Sequence, residues 1–270
     1  MRYLTMAWTG FVAAGLVLAT SSQTHAQPLD KAAMQEFMLT AEIVEAVPIG
    51  KGVTNPWRLT LRDGEIAHDV AFQSVNEKRD RARLGGREEF NFVDAYRYNI
   101  AAYRIAELLG IDHMMPVTVE RGWNGRRGAM TWWIDDVMMD EQVRLAERRW
   151  APDMQAHNQQ YWRMLVFAEL VYDTDRNKGN ILYSSDWKLW MIDFSRAFRI
   201  WDELQAPQNV VQCDRDLLER MRGLTRARLE EHTGAYLNPG EMDAVLKRRD
   251  RLVDHFEALI AQKGERLVLY

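Results

Sequence analysis

Hydrophobic and polar positions change rhythm once along this chain, near residue 135. Before that point short runs of strand character dominate. Ala41–Val47 alternates, with Ile43, Val44 and Val47 apolar. Trp57–Leu61 is a second strand, Asp63-Gly64 a hairpin turn, and His68–Val75 a returning third strand. Residues 76–91, NEKRDRARLGGREEFN, are so charged that they read as a solvated loop around Gly85-Gly86. Asp94 then caps a predicted helix that carries Tyr98, Ala101, Ala102, Ile105, Leu108 and Leu109 on one face and stops at Gly110. Pro116–Glu120 and Ala129–Ile134 are two further strands about the turn GWNGRRG.

After Asp135 the period becomes helical. Gln155–Tyr172 places Trp162, Leu165, Val166, Glu169 and Leu170 at helical spacing. A loop and a short hairpin follow, Ile181–Tyr183 and Trp187–Ile192 about Ser184-Ser185-Asp186. Asp214–Leu224 is a short helix. Asn238 caps and Pro239 opens a last helix that runs to Lys263, and its LKRRDRL stretch reads as an amphipathic, solvated face. The pattern predicts an α+β chain in two lobes. A leader of residues 27–40 precedes a β-rich first lobe, residues 41–135, with one packed helix. A mainly helical second lobe spans residues 136–270.

Residues 1–26 carry one charge, Arg2, then an apolar stretch from Met6 to Ala19 and Thr24-His25-Ala26 ahead of Gln27. That is the layout of a secretory signal peptide cleaved near Ala26, so the expected mature protein is secreted or periplasmic. No later stretch is apolar for long enough to make a membrane span. The remaining 244 residues hold 34 basic and 39 acidic side chains, a formal charge of −5. Mild acidity of this kind argues against a nucleic-acid surface driven by phosphate neutralisation. Cys213 is the sole cysteine, which rules out a disulfide scaffold within one chain. The histidines show no metal-ligand spacing.

Residues 171–194, VYDTDRNKGNILYSSDWKLWMIDF, carry the candidate chemistry. Asp175 stands in a polar loop directly after a helix, where a carboxylate can accept or orient a hydroxyl proton. Asn180, five positions on, offers an amide oxygen to a magnesium ion. Asp193 closes the apolar run Leu189–Ile192 with the hard oxygen that magnesium prefers. Each alone is also what a polar turn or a strand-end cap presents. In this order, about a hairpin and behind a β-rich lobe, they supply what phosphoryl transfer needs: an oriented nucleophile and metal on the phosphates.

The strings DRNKGNIL and MIDFSRAF resemble the atypical branch of the protein-kinase-like superfamily, which includes phosphatidylinositol kinases, HipA-type kinases and secretory-pathway kinases. The resemblance is specific over residues 165–200 and looser over 41–140. It implies a two-lobed protein-kinase-like fold that binds ATP with Mg2+ between its lobes. Asp175 would correspond to the catalytic base, with Asn180 and Asp193 as metal ligands. Gly50-Lys51-Gly52, between the first two strands, would bring backbone N–H groups to the phosphates. Asp135 stands where a kinase hinge holds adenine through backbone groups. Ser195 replaces the glycine often found after the Asp-Phe pair.

One feature departs from the family. Kinase-like sites pair a strand lysine with a helix glutamate to steady the α/β-phosphates. Here AHDVAFQSV puts Gln73 in the lysine slot, and DAYRYNIAAY puts Asn99 opposite it. Losing a charge-assisted contact costs ~1.5–3 kcal/mol, roughly ten- to a hundredfold in rate. Lys51 or Lys78, with Glu88 or Glu89, are the charged residues able to compensate. The chain therefore reads as an exported kinase-like phosphotransferase that uses ATP and a hydroxyl acceptor on a protein, peptide, lipid head group or sugar. The alternative is a catalytically weak pseudokinase that acts as a nucleotide-binding or regulatory partner. Transfer of AMP is a third possibility on the same fold.

Overall fold

The computed structural model describes residues 29–50, 55–84 and 87–270. Lys51, Gly52 and the expected secretory signal lie outside the described residues. Residues expected as a bare leader instead form helix α1 (Lys31–Thr40), capped where the Asp30 side chain accepts from Ala33 N. Phe37 and Met38 bury against the sheet, and Arg121 donates to the carbonyls of Met38 and Ala41 at 2.8 and 2.7 Å. Cap, apolar face and satisfied C-terminal carbonyls together explain why this stretch is helical.

Strands β1 (Glu42–Pro48), β2 (Trp57–Asp63) and β3 (Ile66–Gln73) follow, then β4 (Asn76–Leu84) and β5 (Arg87–Ala95). Helix α2 (Arg97–Leu109) comes next, and β6 (Thr118–Trp123) and β7 (Arg126–Trp132) complete the sheet-rich part. Five of these strands form one antiparallel sheet, ordered β1-β2-β3-β7-β6. Its tight turns use residues that tolerate positive φ: Gly64 at 57°, and Asn124 and Gly125 at 50° and 71°.

Strands β4 and β5 pair only with each other. They correct the expectation of a solvated loop over 76–91. Part of the charge that suggested a loop lies in cross-strand contacts. Arg81 sits 3.2 Å from Glu88 and 5.1 Å over the Phe90 ring, and Arg79 lies 6.0 Å over Phe92. A second correction concerns Asp94, which does not cap α2. The N-cap is Tyr96, with no side-chain bond, and the Asp94 carboxylate reaches Arg196 instead. Helix α2 is buried almost all round, because β6 and β7 cover one side and helices α5 (Arg215–Arg222) and α6 (Arg226–Thr233) another.

The helical part begins with β8 (Val137–Asp140), α3 (Glu141–Ala146) and α4 (Met154–Val171). Strands β9 (Ile181–Ser184) and β10 (Leu189–Met191) join β8 in a small antiparallel sheet, ordered β10-β9-β8. After α5 and α6 come the long α7 (Pro239–Lys263) and the terminal α8 (Glu265–Val268). Asn238 and Glu241 form a capping box at the start of α7. Among the described residues no helix is long and apolar enough to cross a membrane.

Two buried charges one heptad apart on α7 brace the rest. Glu241 accepts from both terminal guanidinium nitrogens of Arg97, at 3.0 and 2.9 Å, and from the Tyr98 hydroxyl, which fixes α2. Arg248 is wholly buried and donates to the carbonyls of Leu170 and Arg199 at 2.8 and 2.9 Å and to that of Trp201. This corrects the solvated reading of LKRRDRL. Burial pushes the Arg248 guanidinium down to about 10, so it remains a cation at neutral pH.

Near β8 a second buried network joins α3, α4 and β9. Arg144 holds Glu141 with two donors, at 2.5 and 2.8 Å. Tyr183 donates to the same carboxylate at 3.0 Å, and His157 lies 3.2 Å from the Tyr183 hydroxyl. Burial, with Arg144 nearby, holds His157 below its ordinary value of 6.5, so the native ring is neutral. Below that value the unfolded chain takes up a proton that the native ring refuses, so stability falls as pH drops. Thermal melts between pH 7.5 and 5 should show Tm declining, with a shallower decline in His157→Gln; equal slopes in both proteins would contradict this account.

Candidate active site

Helix α4 stops at Tyr172, whose backbone turns left-handed at φ 49°. The chain then enters the polar loop that carries Asp175 and Asn180. A buried ion pair holds this loop. The Asp173 carboxylate is fully buried and the Arg176 side chain 8% exposed, with Nη2 and Oδ2 2.5 Å apart. Asp175 N donates to Asp173 Oδ1 at 3.0 Å. Arg176 Nη1 donates to the carbonyls of Asn180 and Ile192 at 2.9 and 2.7 Å, and Nη2 reaches the carbonyl of Asp193 at 3.3 Å. Its guanidinium also stacks 4.1 Å from the Phe194 ring centre. Burial pushes the Asp173 carboxyl up, against the pull of Arg176 and the Asp175 N–H.

Those contacts bring Asp175, Asn180 and Asp193 to one end of the β9–β10 hairpin. Asn180 Nδ2 donates to the Asp175 carbonyl at 3.0 Å, and Ile192 N donates to the Asn180 carbonyl at 3.1 Å. With its amide nitrogen turned to the Asp175 carbonyl, Asn180 could offer its amide oxygen to a metal ion. Asp193 holds a left-handed φ of 54°, a conformation that costs a non-glycine residue about 1–2 kcal/mol. Its carbonyl is fixed by Arg176, and its Oδ1 accepts from Ser195 N at 3.2 Å. One amide oxygen and one carboxylate suit a magnesium-type ion that takes its remaining ligands from phosphates and water. Among the described residues no cluster of three or more His, Cys, Asp or Glu side chains stands ready to hold a metal alone.

Gln73 and Asn99 face each other, as the sequence places them. Asn99 Nδ2 donates to Gln73 Oε1 at 2.6 Å, and Asn99 Oδ1 accepts from Phe194 N at 2.6 Å. Two neutral amides thus connect β3, α2 and the residue after Asp193. Gly128 lets β7 cross here, since a Cβ would lie 2.6 Å from the Gln73 carbonyl oxygen and the Phe72 ring. Gly50 follows β1 at φ 66°, in open space. Asp135 lies in the turn between β7 and β8, 71% exposed and 3.6 Å from His68 Nδ1. Lys78 is exposed on β4, opposite Val93. Glu88 pairs with Arg81 and Glu89 with Arg199, so both expected substitutes for the helix acid are committed to other partners.

Sequence reasoning missed Asp173, Arg176, Asp94 and Arg196. The first two are visible in hindsight as an acid and a base three apart in DTDR. Arg196 donates to Asp94 Oδ2 and to Asp175 Oδ2, both at 3.0 Å, across a separation in sequence that local pattern does not reveal. The β4–β5 hairpin thereby docks on the segment after Asp193. Arg199 adds bonds to Glu89 and to the Val93 carbonyl, at 2.7 and 3.0 Å. Replacing Arg176 by Met strands the Asp173 charge out of water, which should cost about 3–5 kcal/mol of stability. Urea denaturation checks this; a loss under 1 kcal/mol would show that the pair does not hold the loop.

No protein-family model matches this sequence, and no curated protein matches it by sequence. Similarity appears at the level of structure. Hydra Fam20, solved with sugar, aligns at TM-score 0.66 and 14% identity over 89% of this chain and 92% of that one. The Golgi casein kinase with Mn/ADP bound aligns at 0.63 and 11% identity, over 88% and 78%. The Helicobacter pylori proinflammatory kinase CtkA aligns at 0.51 and 10% identity, over 86% and 98%. With a sheet-rich first part, a helical second part and these neighbours, the chain has the two-lobed fold of the atypical protein-kinase-like proteins.

Proposed function

We propose that this protein is an exported phosphotransferase that moves the γ-phosphoryl group of ATP to a hydroxyl acceptor. The observation that carries the reading is the meeting of Asp175, Asn180 and Asp193 on a loop and strand end tied together by Arg176. Residues 41–135 serve as the nucleotide-clamping lobe and 136–270 as the catalytic lobe. Gly50 would bring its backbone toward the phosphates, and Asp135 marks the adenine side. Asn180 and Asp193 would hold a divalent ion, magnesium or manganese, which when bound neutralises charge on the phosphates. Asp175 takes the acceptor proton as the acceptor oxygen bonds to phosphorus. The bond from phosphorus to the bridging oxygen breaks, and ADP leaves. The neighbours' descriptions, a sugar in one and casein in another, keep both sugar and protein hydroxyls as acceptor classes.

The Gln73–Asn99 pair favours a second reading, a weak or inactive member that acts as a nucleotide-binding partner. The geometry sharpens how to separate the two. Gln73→Lys alone would aim a cation at the Asn99 amide N–H group. Gln73→Lys with Asn99→Glu restores a charged pair and keeps an acceptor for Phe194 N.

Transfer by the full chain, followed by mass spectrometry of the modified acceptor, separates a phosphate adduct from an AMP adduct. Asp175→Ala should lower the rate by about a hundredfold or more; an unchanged rate would overturn the assignment of Asp175. The double variant should raise turnover about tenfold. No gain over a wild type that already transfers phosphate would mean that the amide pair suffices, and would remove the basis of the second reading.

A further inference from the structure

Arg196 has no role in the transfer step described above, yet much of the site converges on it. Its Nη1 donates to Asp175 Oδ2 and its Nε to Asp94 Oδ2, each at 3.0 Å, and its side chain is 14% exposed. The backbone is strapped as well. The Arg196 carbonyl accepts from Thr174 Oγ1 at 2.9 Å, and Ser195 O accepts from Ala95 N at 2.8 Å. The Phe92 ring packs 5.6 Å from the guanidinium carbon. Asp94 is buried, and among the described residues its Oδ1 has no hydrogen-bond partner. Arg196 is therefore the group that answers the Asp94 charge. Burial works against the charge on Arg196, but the Asp94 hydrogen bond and the charges of Asp175, Asp94 and Asp193 more than offset it and leave its pKa raised.

The consequence falls on Asp175. A carboxylate on a loop is free to rotate about its last bond unless both oxygens are held. Here Arg196 takes Oδ2, and Asn177 Nδ2 donates to Oδ1 at 3.1 Å. Each oxygen keeps a second lone pair, so the aimed carboxylate can still accept a proton from an incoming hydroxyl. We propose that Arg196 is a positioning residue of the transfer step: it fixes the aim of the Asp175 carboxylate and, through Asp94, couples that aim to the position of the first lobe. The proposal rests on the phosphotransferase reading.

The test uses the full chain with ATP and magnesium or manganese, with water as acceptor and ADP release as the signal. Arg196→Gln should lower kcat about ten- to a hundredfold, the scale of a misplaced catalytic group, while the KM for ATP stays near the wild-type value. Arg196→Lys should recover part of the rate, because it keeps the charge without the two-pronged reach. Asp94→Asn should fall between wild type and Arg196→Gln. In an Asp175→Ala background Arg196→Gln should cost nothing further, since its effect passes through Asp175. An unchanged kcat in Arg196→Gln overturns the role. A full additional loss in the Asp175→Ala background also overturns it, and assigns Arg196 to direct contact with the phosphates. Should the Gln variant not fold, Arg196→Lys in both backgrounds gives the same comparison. Wild-type protein that releases no ADP would instead overturn the phosphotransferase reading itself, and this role with it.

Discussion

The rest of the site depends on one buried ion pair. Asp173 and Arg176 sit three residues apart, both out of water, and the guanidinium spends its remaining donors on three backbone carbonyls. A buried pair of this kind contributes little net stability, because desolvation offsets most of the attraction. Its value is geometric. It ties the loop after α4 to the strand end at Ile192-Asp193, so the two ends of the β9–β10 hairpin share one rigid frame. Asp193 can then hold a left-handed backbone without slipping out of it.

A second junction, beside Asp193, is built from neutral groups. The Asn99 amide bridges Gln73 and the backbone of Phe194, so β3, α2 and the segment after Asp193 stay connected by hydrogen bonds between neutral groups. Helix α7 adds two further braces. Glu241 pins α2, and Arg248 pins the chain that follows Asp193. Glu169 completes the arrangement by accepting from the backbone of Gln205 and Ala206 at 2.6 and 2.8 Å. Carbonyls and amides of the 199–206 segment are thus met by buried charges already present in the chain.

Much of this was legible in the sequence. The strands and helices that show a clear period were, and so was the helix start at Asn238-Pro239. The juxtaposition of Gln73 with Asn99 followed from counting inward slots. The remainder was hidden for identifiable reasons. The 76–91 stretch carries so much charge that composition outweighed its strand character, and its pairing is cross-strand. Asp94 looked like a helix cap because a cap is a local inference, whereas its partner Arg196 lies 102 residues away. Arg248 sits in LKRRDRL, where periodicity suggests solvent, yet three backbone carbonyls draw it inward. Buried charges that serve backbone groups leave no local signature.

The proposed function turns on whether the site at Asp175, Asn180 and Asp193 takes up nucleotide through a divalent ion. Isothermal titration of the full chain with ADP or ATP, with and without magnesium or manganese, tests this directly. The account predicts saturable, metal-dependent binding that Asp193→Ala removes. Absence of metal-dependent binding in the wild-type protein, or binding indifferent to Asp193, would contradict it.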